Sequence, residues 1–256
     1  MSSLSFDRAA SFYDDTRKLP DSVSDSVTQA ILDRLPPGRP VLECGVGTGR
    51  IAAPLLKRGV PLVGVDLSKE MMLRLREKVG GAPLAQADVS RLPFPDAVFG
   101  ALLTVHVLHL VGPWREALRE FKRVLAPGGI YLNSQNYRPP DSPNPRMRDY
   151  WHQLLDARGH TWRRPGAQNH DELTDELRAI GAQIDEIVVA HWTHSITPRQ
   201  EIDQITLRTQ SDSWGIPDDA LAESIADLRA WAVNEFRDLD APIVVERRFV
   251  FDVIRF

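Results

Sequence analysis

The sequence predicts an α/β fold with a doubly wound, mostly parallel sheet and an inserted helical cap. Three observations support this fold class. Short apolar segments alternate with amphipathic helical segments over Val41–Ser134. A glycine-rich turn follows the first apolar segment, VLECGVGTGR at 41–50. The last segment, Ile243–Phe256, alternates apolar and charged residues as an antiparallel partner would. Because strands that alternate with helices form parallel sheets, we expect their carboxyl ends to share one edge.

Length and composition limit the class of protein. The chain has 256 residues, enough for one large α/β domain or a domain with a sizeable insertion. Its 31 basic and 35 acidic residues give a net charge of −4, which argues against a main role in binding nucleic acid. No segment approaches the ~20 apolar residues of a membrane span, and the N-terminal residues lack the apolar region of a signal peptide. We therefore expect a cytoplasmic protein with no membrane partner.

The single cysteine and the scattered histidines argue against metal chemistry. Cys44 excludes an intrachain disulfide and a multi-cysteine metal site. It lies inside the glycine turn, and we interpret it as a small buried side chain rather than a nucleophile. No two histidines stand at H-x-x-x-H spacing. We therefore expect no metal site.

The glycine turn predicts a small-molecule cradle. Gly45, Gly47 and Gly49 stand at every second position, where glycine permits positive φ and a close approach of backbone to ligand. The dinucleotide fingerprint needs a glycine where Arg50 stands, and a phosphate loop would end in Gly-Lys-Ser/Thr. Neither pattern matches. A turn that is glycine-rich only for tight packing is the alternative.

Asp66 is the second informative residue, because it ends the apolar strand after the glycine turn. An acid placed ~20 residues beyond such a turn hydrogen-bonds ribose hydroxyls. A carboxylate offers acceptor oxygens to both donors of a vicinal diol. The alternative is that Asp66 caps the next helix, but Ser68 is better placed for that role. We expect a ribose contact.

The remaining elements follow from periodicity and from Gly and Pro signals. Helices are predicted at Ser22–Leu35, Ile51–Arg58, Lys69–Val79, Arg115–Val124, Met147–Ala157 and Asp171–Ile180. Further strands are predicted at Pro61–Asp66, Leu84–Ala87, Phe99–Val107, Ile130–Ser134 and Ile184–His194. The polar segment Ser5–Leu19 precedes them all.

These motifs together resemble those of the class I S-adenosylmethionine-dependent methyltransferases. Glu43–Gly49 is similar to their motif I, Glu-x-Gly-x-Gly-x-Gly, and Leu92–Phe99 is similar to their "lPFpd..FD" stretch. One departure is Gly100, which stands where Asp is common. Glu120–Gly129 resembles their "E..RvLkPGG" segment. The resemblance covers Phe6–Gln135 by motif and implies a seven-stranded, Rossmann-like sheet with S-adenosyl-L-methionine as cofactor.

The resemblance also implies a set of site residues. A Tyr-Asp-x-x-Arg run at Tyr13–Arg17 is similar to an arm that folds over the cofactor, with a helix packed on the sheet edge as the alternative. In this family an acid at the place of Asp88 meets the adenine, and its neighbour Val89 packs on the ring. The full cofactor-binding set implied is Tyr13, Arg17, Glu43, Cys44, Gly45, Gly47, Asp66, Leu67, Met71, Asp88, Val89 and Thr104. His106, at the carboxyl end of a strand, is the candidate catalytic residue, with a hydrogen-bonded structural histidine as the alternative.

The C-terminal part departs from the strand–helix alternation. Tyr137–His170 is rich in Pro, Arg, Trp and His, and Thr197–Asp240 predicts two helices, at 198–209 and 217–236. We expect these two segments to form a cap over the carboxyl ends of the strands and to bind the acceptor. The cofactor-binding core then comprises residues 1–136, 171–196 and 241–256.

The predicted function is transfer of a methyl group to a small-molecule acceptor by in-line attack on the sulfonium methyl. For this the protein mainly supplies alignment and water exclusion. A non-catalytic or regulatory S-adenosylmethionine-binding protein is one alternative. An NAD-dependent reductase is another, although the early position of Gly49 argues against it. The sequence specifies neither the acceptor nor the oligomeric state.

Overall fold

A computed structural model describes residues 3–137, 139 and 142–256, with backbone alone at 135–137. The chain forms two compact units. Unit 1 comprises Met1–Asn136, Arg164–Ala190 and Phe249–Phe256, and unit 2 comprises Tyr137–Arg163 and His191–Arg248. Within the predicted cap segment 137–170, Arg138, Pro140 and Asp141 lie outside the described residues.

Seven strands form one sheet, in the order β3-β2-β1-β4-β5-β7-β6. The strands are β1 (Val41–Cys44), β2 (Leu62–Asp66), β3 (Leu84–Gln86), β4 (Phe99–Val105), β5 (Leu125–Tyr137), β6 (Gln183–Ile196) and β7 (Ile243–Arg255). Strand β1 pairs in parallel with β2 and β4, and the β2–β3 and β4–β5 pairs are parallel too. The predicted fold class, a doubly wound and mostly parallel seven-stranded sheet, is confirmed.

The last two strands run in opposite directions, as two side-chain pairs show. Asp185 of β6 pairs with Arg255 of β7, and His191 of β6 lies near Glu246 of β7. Residue numbers therefore rise along one strand as they fall along the other, which is the order of antiparallel neighbours.

Nine helices are described: α1 (Tyr13–Arg17), α2 (Asp21–Leu32), α3 (Ala52–Lys57), α4 (Lys69–Val79), α5 (Trp114–Val124), α6 (Pro143–Ala157), α7 (His170–Ala179), α8 (Pro198–Thr206) and α9 (Asp218–Phe236). Helix α4 has the bounds that the sequence predicts, because both of its ends are set locally. Ser68 caps its first turn by accepting from the N–H of Met71, and Gly80 ends it at φ +70°.

The central strands are buried on both faces. All four residues of β1 and all seven of β4 are buried. Helix α5 packs on one face through Leu118, Phe121 and Val124. Burial on both faces is expected in a parallel sheet covered by helices, which explains why these strands lack polar alternation.

Strand β5 begins five residues earlier than predicted. Leu125 pairs with Phe99, and the register then shifts so that Ile130 pairs with Ala101. The Pro-Gly-Gly segment between them is a bulge within the strand rather than the turn that its composition suggests.

Unit 2 has an apolar core of its own, formed by α6, α8 and α9. Met147, Trp151, Ile202, Ile205 and Leu228 are its fully buried members on these helices, together with Leu155 and Ala232. Its bounds differ by several residues from the predicted cap segments, 137–170 and 197–240. That these segments bind the acceptor stays a prediction.

Candidate functional site

The candidate site is built where β1, β2 and β4 end. Cys44 of β1 is in register with Val65 of β2 and with Thr104 of β4. Because the three strands are parallel, the residues that follow them meet at one edge of the sheet. Glu43, Asp66 and the glycine turn lie at this edge.

The three glycines of the turn differ in how closely neighbouring side chains approach them. All three have positive φ: +74° at Gly45, +53° at Gly47 and +82° at Gly49. A Cβ on Gly45 would lie 2.4 Å from Cγ2 of Val107, and one on Gly49 would lie 2.2 Å from Cδ1 of Leu75. A Cβ on Gly47 would meet no side-chain atom closer than 3.4 Å. Positive φ favours glycine at all three positions, Val107 and Leu75 crowd the outer two as well, and Gly47 is the least crowded of the three.

Asp66 holds the turn in place. Its Oδ2 accepts from the N–H of Gly47 at 2.8 Å, and its Oδ1 accepts from the N–H of Ser68 at 2.8 Å. Burial raises the pKa of Asp66, while these backbone N–H groups act in the opposite direction. A carboxylate oxygen has more than one lone pair, so both oxygens can still accept from a ribose diol. The ribose role of Asp66 stays a prediction.

Glu43 is a buried carboxyl group with one oxygen that lacks a partner. Its side chain is 2% exposed, and among the described residues none hydrogen-bonds to Oε2. Burial raises the pKa of Glu43 to about 8, with Asp66 adding to the rise and Arg50 opposing it. A buried polar group without a partner is costly, so Glu43 suits a cationic group of a ligand.

The N-terminal segment docks beside the glycine turn through two aspartates. Asp7 Oδ1 accepts from Oγ of Ser68 at 2.5 Å. Asp14 Oδ1 accepts from Oγ1 of Thr48 at 2.6 Å, and its Oδ2 lies 2.6 Å from Nζ of Lys78. Asp7 and Lys78 were not among the predicted site residues. No sequence signal marks Asp7, because its partner is 61 residues away.

The two predicted residues of this segment lie close to the turn as well. Tyr13 is half-buried, with its ring edge-to-face on Phe6 at 6.2 Å. The backbone carbonyl of Arg17 accepts from Nη1 of Arg50 at 3.1 Å. The segment therefore packs against the turn, and contact between its side chains and the cofactor stays a prediction.

The predicted adenine contacts, Asp88 and Val89, follow β3, and two further predicted cofactor-binding residues, Leu67 and Met71, follow β2. Asp88 Oδ1 accepts from the N–H and the Oγ of Ser90, which fixes the carboxylate in a local turn. Val89 is buried, and the carbonyl of Leu67 accepts from Nε2 of Gln86 at 3.0 Å. Met71 is buried, and its Cε methyl group would lie 3.4 Å from a Cβ placed on Gly47.

Two further residues of the predicted cofactor-binding set are fully buried. Thr104 is fully buried, with its hydroxyl 2.8 Å from that of Tyr131 and donating to Oδ1 of Asn133 at 2.9 Å. Cys44 is also fully buried, and burial raises the pKa of its thiol well above the usual value. Both side chains lie in the protein interior, and a contact of either residue with the cofactor stays a prediction.

His106 has a strained backbone at the end of β4. Its φ is +60°, a region that residues other than glycine seldom occupy and that often marks functional positions. Its N–H donates to the carbonyl of Ser134 at 3.0 Å, and its side chain is half-buried. A catalytic role for His106 stays a prediction.

A second histidine in unit 1 has a buried carboxylate as partner. His170 Nε2 lies 3.0 Å from Oδ1 of Asp252, and Oδ2 of Asp252 accepts from Nδ2 of Asn133 at 2.9 Å. Asp252 is 4% exposed, whereas the ring of His170 is exposed for almost half its area. Sequence reasoning missed this pair because 82 residues separate the two partners.

No helix among the described residues is both long and apolar enough to cross a membrane. In the same part of the chain, no three His, Cys, Asp or Glu side chains converge as metal ligands would.

Comparison with known proteins gives one family. The profile of the methyltransferase domain family matches residues 42–133, which contain the glycine turn, Asp66 and Asp88. Over 144 residues the chain is 32% identical to a demethylmenaquinone methyltransferase of Beutenbergia cavernae, covering 52% of this chain and 60% of that protein. Over 99 residues it is 38% identical to a fatty-acid O-methyltransferase of Mycolicibacterium smegmatis, covering 37% and 36%. The chain thus spans less than two thirds of these relatives.

A solved structure shares the fold of this chain over most of the length of both proteins. The YcgJ protein of Bacillus subtilis superposes with a TM-score of 0.57 at 22% identity. The match covers 90% of this chain and 97% of that protein. At this identity the likeness concerns the fold alone.

Proposed function

Because this chain carries a class I S-adenosylmethionine-dependent methyltransferase domain, we propose that it transfers the methyl group of S-adenosylmethionine to a small-molecule acceptor. Two of the relatives above are named for the small molecules that they methylate, a demethylmenaquinone and a fatty acid. Small-molecule acceptors are therefore the class that we propose here.

One observation carries the proposal: the buried carboxyl group of Glu43, at the end of β1 that leads into the glycine turn, has an oxygen without a hydrogen-bond partner among the described residues. S-adenosylmethionine bears an α-ammonium group, which donates hydrogen bonds and is positively charged, as a partner for Oε2 of Glu43 should be. Gly47, in the turn that follows, is the glycine of the three whose Cβ would meet no side-chain atom closer than 3.4 Å. Asp66 would accept from the ribose hydroxyls with the lone pairs that Gly47 and Ser68 leave unused. These groups fit the cofactor that the family uses.

When bound, the cofactor supplies a sulfonium methyl that is already activated for attack. The residues of this chain then need only to orient the two reactants and exclude water. Val89 and Met71, both buried, provide apolar surface beside the site. We assign to His106 the acceptance of a proton from the acceptor, since it directly follows β4, the strand beside β1, and its backbone is held in a rare conformation.

Two measurements test this proposal. Calorimetric titration should show that S-adenosylhomocysteine binds and that NADH does not. Incubation with S-adenosylmethionine and a metabolite extract should then give a product whose mass exceeds that of its precursor by one methyl group. Binding of NADH in place of S-adenosylhomocysteine would contradict the cofactor. Binding without any methylated product would favour the non-catalytic alternative.

A further inference from the structure

The segment that follows β3 is held at both ends by backbone hydrogen bonds. At one end, the N–H of Ala87 donates to the backbone carbonyl of Asp66 at 3.0 Å, which ties the segment to β2. At the other end, the N–H of Leu92 donates to Oε2 of Glu120 on α5 at 2.8 Å. The carbonyl of Leu92 accepts from Nη2 of Arg123, on the same helix, at 3.2 Å. The residues between these two points therefore have little freedom to move.

Residues 88–91, the Asp88 turn, are closed by hydrogen bonds of Asp88. Its backbone carbonyl accepts from the N–H of Arg91 at 2.9 Å. Its Oδ1 accepts from the N–H of Ser90 at 2.9 Å and from the Oγ of Ser90 at 2.8 Å. Among the described residues, none donates to the second oxygen, Oδ2. The turn thus fixes the carboxylate through one oxygen and leaves the other able to accept from a ligand.

Arg123 holds the segment after this turn with its whole guanidinium group. Nε and Nη2 donate to the two carboxylate oxygens of Glu120 at 2.7 and 2.8 Å, as a bidentate pair. Nη1 donates to the carbonyl of Phe94 at 2.7 Å and to Oδ1 of Asp96 at 2.8 Å. The N–H of Ala97 donates to the backbone carbonyl of Arg123 at 2.9 Å. A lysine has no planar fork of donors and could not make these bonds together.

The pair of Glu120 and Arg123 differs from an ordinary surface ion pair. The two side chains are 21% and 30% exposed. Hydrogen bonds from Arg123 and from the N–H of Leu92 hold the pKa of Glu120 below its usual value, although burial opposes them. By contrast, Arg119 and Glu116 of the same helix are more than half exposed and lie 3.5 Å apart, with one contact. Exposed pairs of that kind contribute little.

We propose that Arg123 and Glu120 are positioning residues for adenine recognition. Through Leu92 they fix the Asp88 turn, and the turn aims Oδ2 of Asp88 at the exocyclic amine of the cofactor. A carboxylate oxygen accepts from an amine and repels a carbonyl oxygen, so its position decides how well adenine is preferred to hypoxanthine, the deaminated base. The inference rests on the proposed function, because it takes S-adenosylmethionine as the ligand.

A purely structural role of the pair predicts a different result. A variant that only loses stability binds both forms of a ligand less well by the same factor, because the unfolded chain binds neither. The ratio of the two dissociation constants is then unchanged. This ratio therefore reports how Asp88 is aimed and does not report the stability of the fold.

Calorimetric titration with S-adenosylhomocysteine and with its deaminated analogue, S-inosylhomocysteine, measures the ratio. We expect the wild type to bind the adenine form at least about tenfold more tightly. Asp88→Ala should lower the ratio to about one. Arg123→Gln should lower it to a similar value, and the double variant should show no further fall, because both changes act on one contact. Arg119→Gln is the matched control on the same helix and should keep the wild-type ratio.

Hydrogen exchange on the ligand-free chain tests the positioning without reference to the cofactor. Measured relative to the N–H of Leu102 in the buried strand β4, the N–H of Leu92 should exchange at least about tenfold faster in Arg123→Gln. Arg119→Gln should leave this exchange unchanged. Arg123→Lys keeps the charge and should give intermediate values in both measurements, and it replaces Arg123→Gln if that variant does not fold.

Several outcomes would overturn the inference. A wild-type ratio in the Arg123 variants, a further fall in the double variant, or unchanged exchange of Leu92 would each do so. A wild type that binds both ligands equally would overturn it too, while leaving the proposed cofactor in place. A wild type that binds neither ligand would overturn the proposed function and this inference with it.

Discussion

The N–H of Gly47 donates a 2.8 Å hydrogen bond to Oδ2 of Asp66, which joins the glycine turn to the end of the next strand. The same carboxylate accepts from Ser68, the residue that caps α4. One side chain thus positions the turn after β1 and the helix after β2. Asp66 therefore shapes the site whether or not a ligand is bound.

Asp66→Ala should weaken binding of S-adenosylhomocysteine by about 1.5–3 kcal/mol, the usual range for hydrogen bonds to a charged group. Part of the loss would come from a turn that is no longer held. Calorimetric titration measures it, with Asp25→Ala, on the exposed surface of α2, as the control. Unchanged affinity in Asp66→Ala would show that the carboxylate serves the fold alone.

Gly47→Val should abolish cofactor binding while the protein still folds. A valine would fill the space beside the turn, and its φ near +53° should lower stability by about 1–2 kcal/mol. The pair Gly47→Ala and Gly49→Ala separates the two effects, since each adds one methyl at positive φ. Thermal unfolding and titration should show mainly lost affinity for Gly47→Ala. For Gly49→Ala they should show mainly lost stability, because its methyl meets Leu75. Equal behaviour of the two variants would contradict this division.

Protein stability without cofactor should fall as pH rises from about 4.5 to about 8. Burial raises the pKa of Glu43 from 4.5 to about 8, so across this interval the folded chain holds a proton that the unfolded chain has lost. Asp66, whose pKa is also raised, acts in the same direction at the acidic side. Urea unfolding at several pH values should show a shallower slope for Glu43→Gln, and equal slopes would exclude the shifted pKa.

Cofactor binding should release a proton from Glu43 below pH 8. An ammonium group paired with Glu43 favours the ionised carboxylate, so binding shifts its pKa downward and affinity rises with pH up to about 8. Calorimetry in buffers of different ionisation enthalpy counts the proton. Glu43→Gln should release none, and proton release that persists in this variant would assign the effect to another group.

Asp252→Ala should lower the free energy of unfolding by about 1–3 kcal/mol, because it leaves the buried amide of Asn133 without its acceptor. Asp185→Ala is the control, an exposed aspartate whose pair with Arg255 should be worth less than about 1 kcal/mol. A double-mutant cycle with His170→Ala isolates the His170–Asp252 interaction. A loss no larger than that of the control would show that the pair has no structural role.

Features set by neighbouring residues could be predicted from the sequence, and features set by distant ones could not. The bounds of α4 follow from Ser68 and Gly80, which act on their own helix. The glycine turn and Asp66 follow from a short motif. The bond from Ser68 to Asp7 joins residues 61 positions apart, and no local pattern encodes it. The early start of β5 was missed for a related reason, because the pairing of Leu125 with Phe99 overrides a composition typical of turns.

The packing of Gly45 and Gly49 limits what a motif match can reveal about this fold. Positive φ and the nearby side chains of Val107 and Leu75 disfavour a larger residue at these two positions, with or without a cofactor. A descendant that had given up S-adenosylmethionine would therefore still keep both glycines simply to remain folded. The middle glycine would be the least constrained of the three, since only its positive φ would still favour glycine, so a substitution at the position of Gly47 is where loss of activity would first become visible in the sequences of descendants.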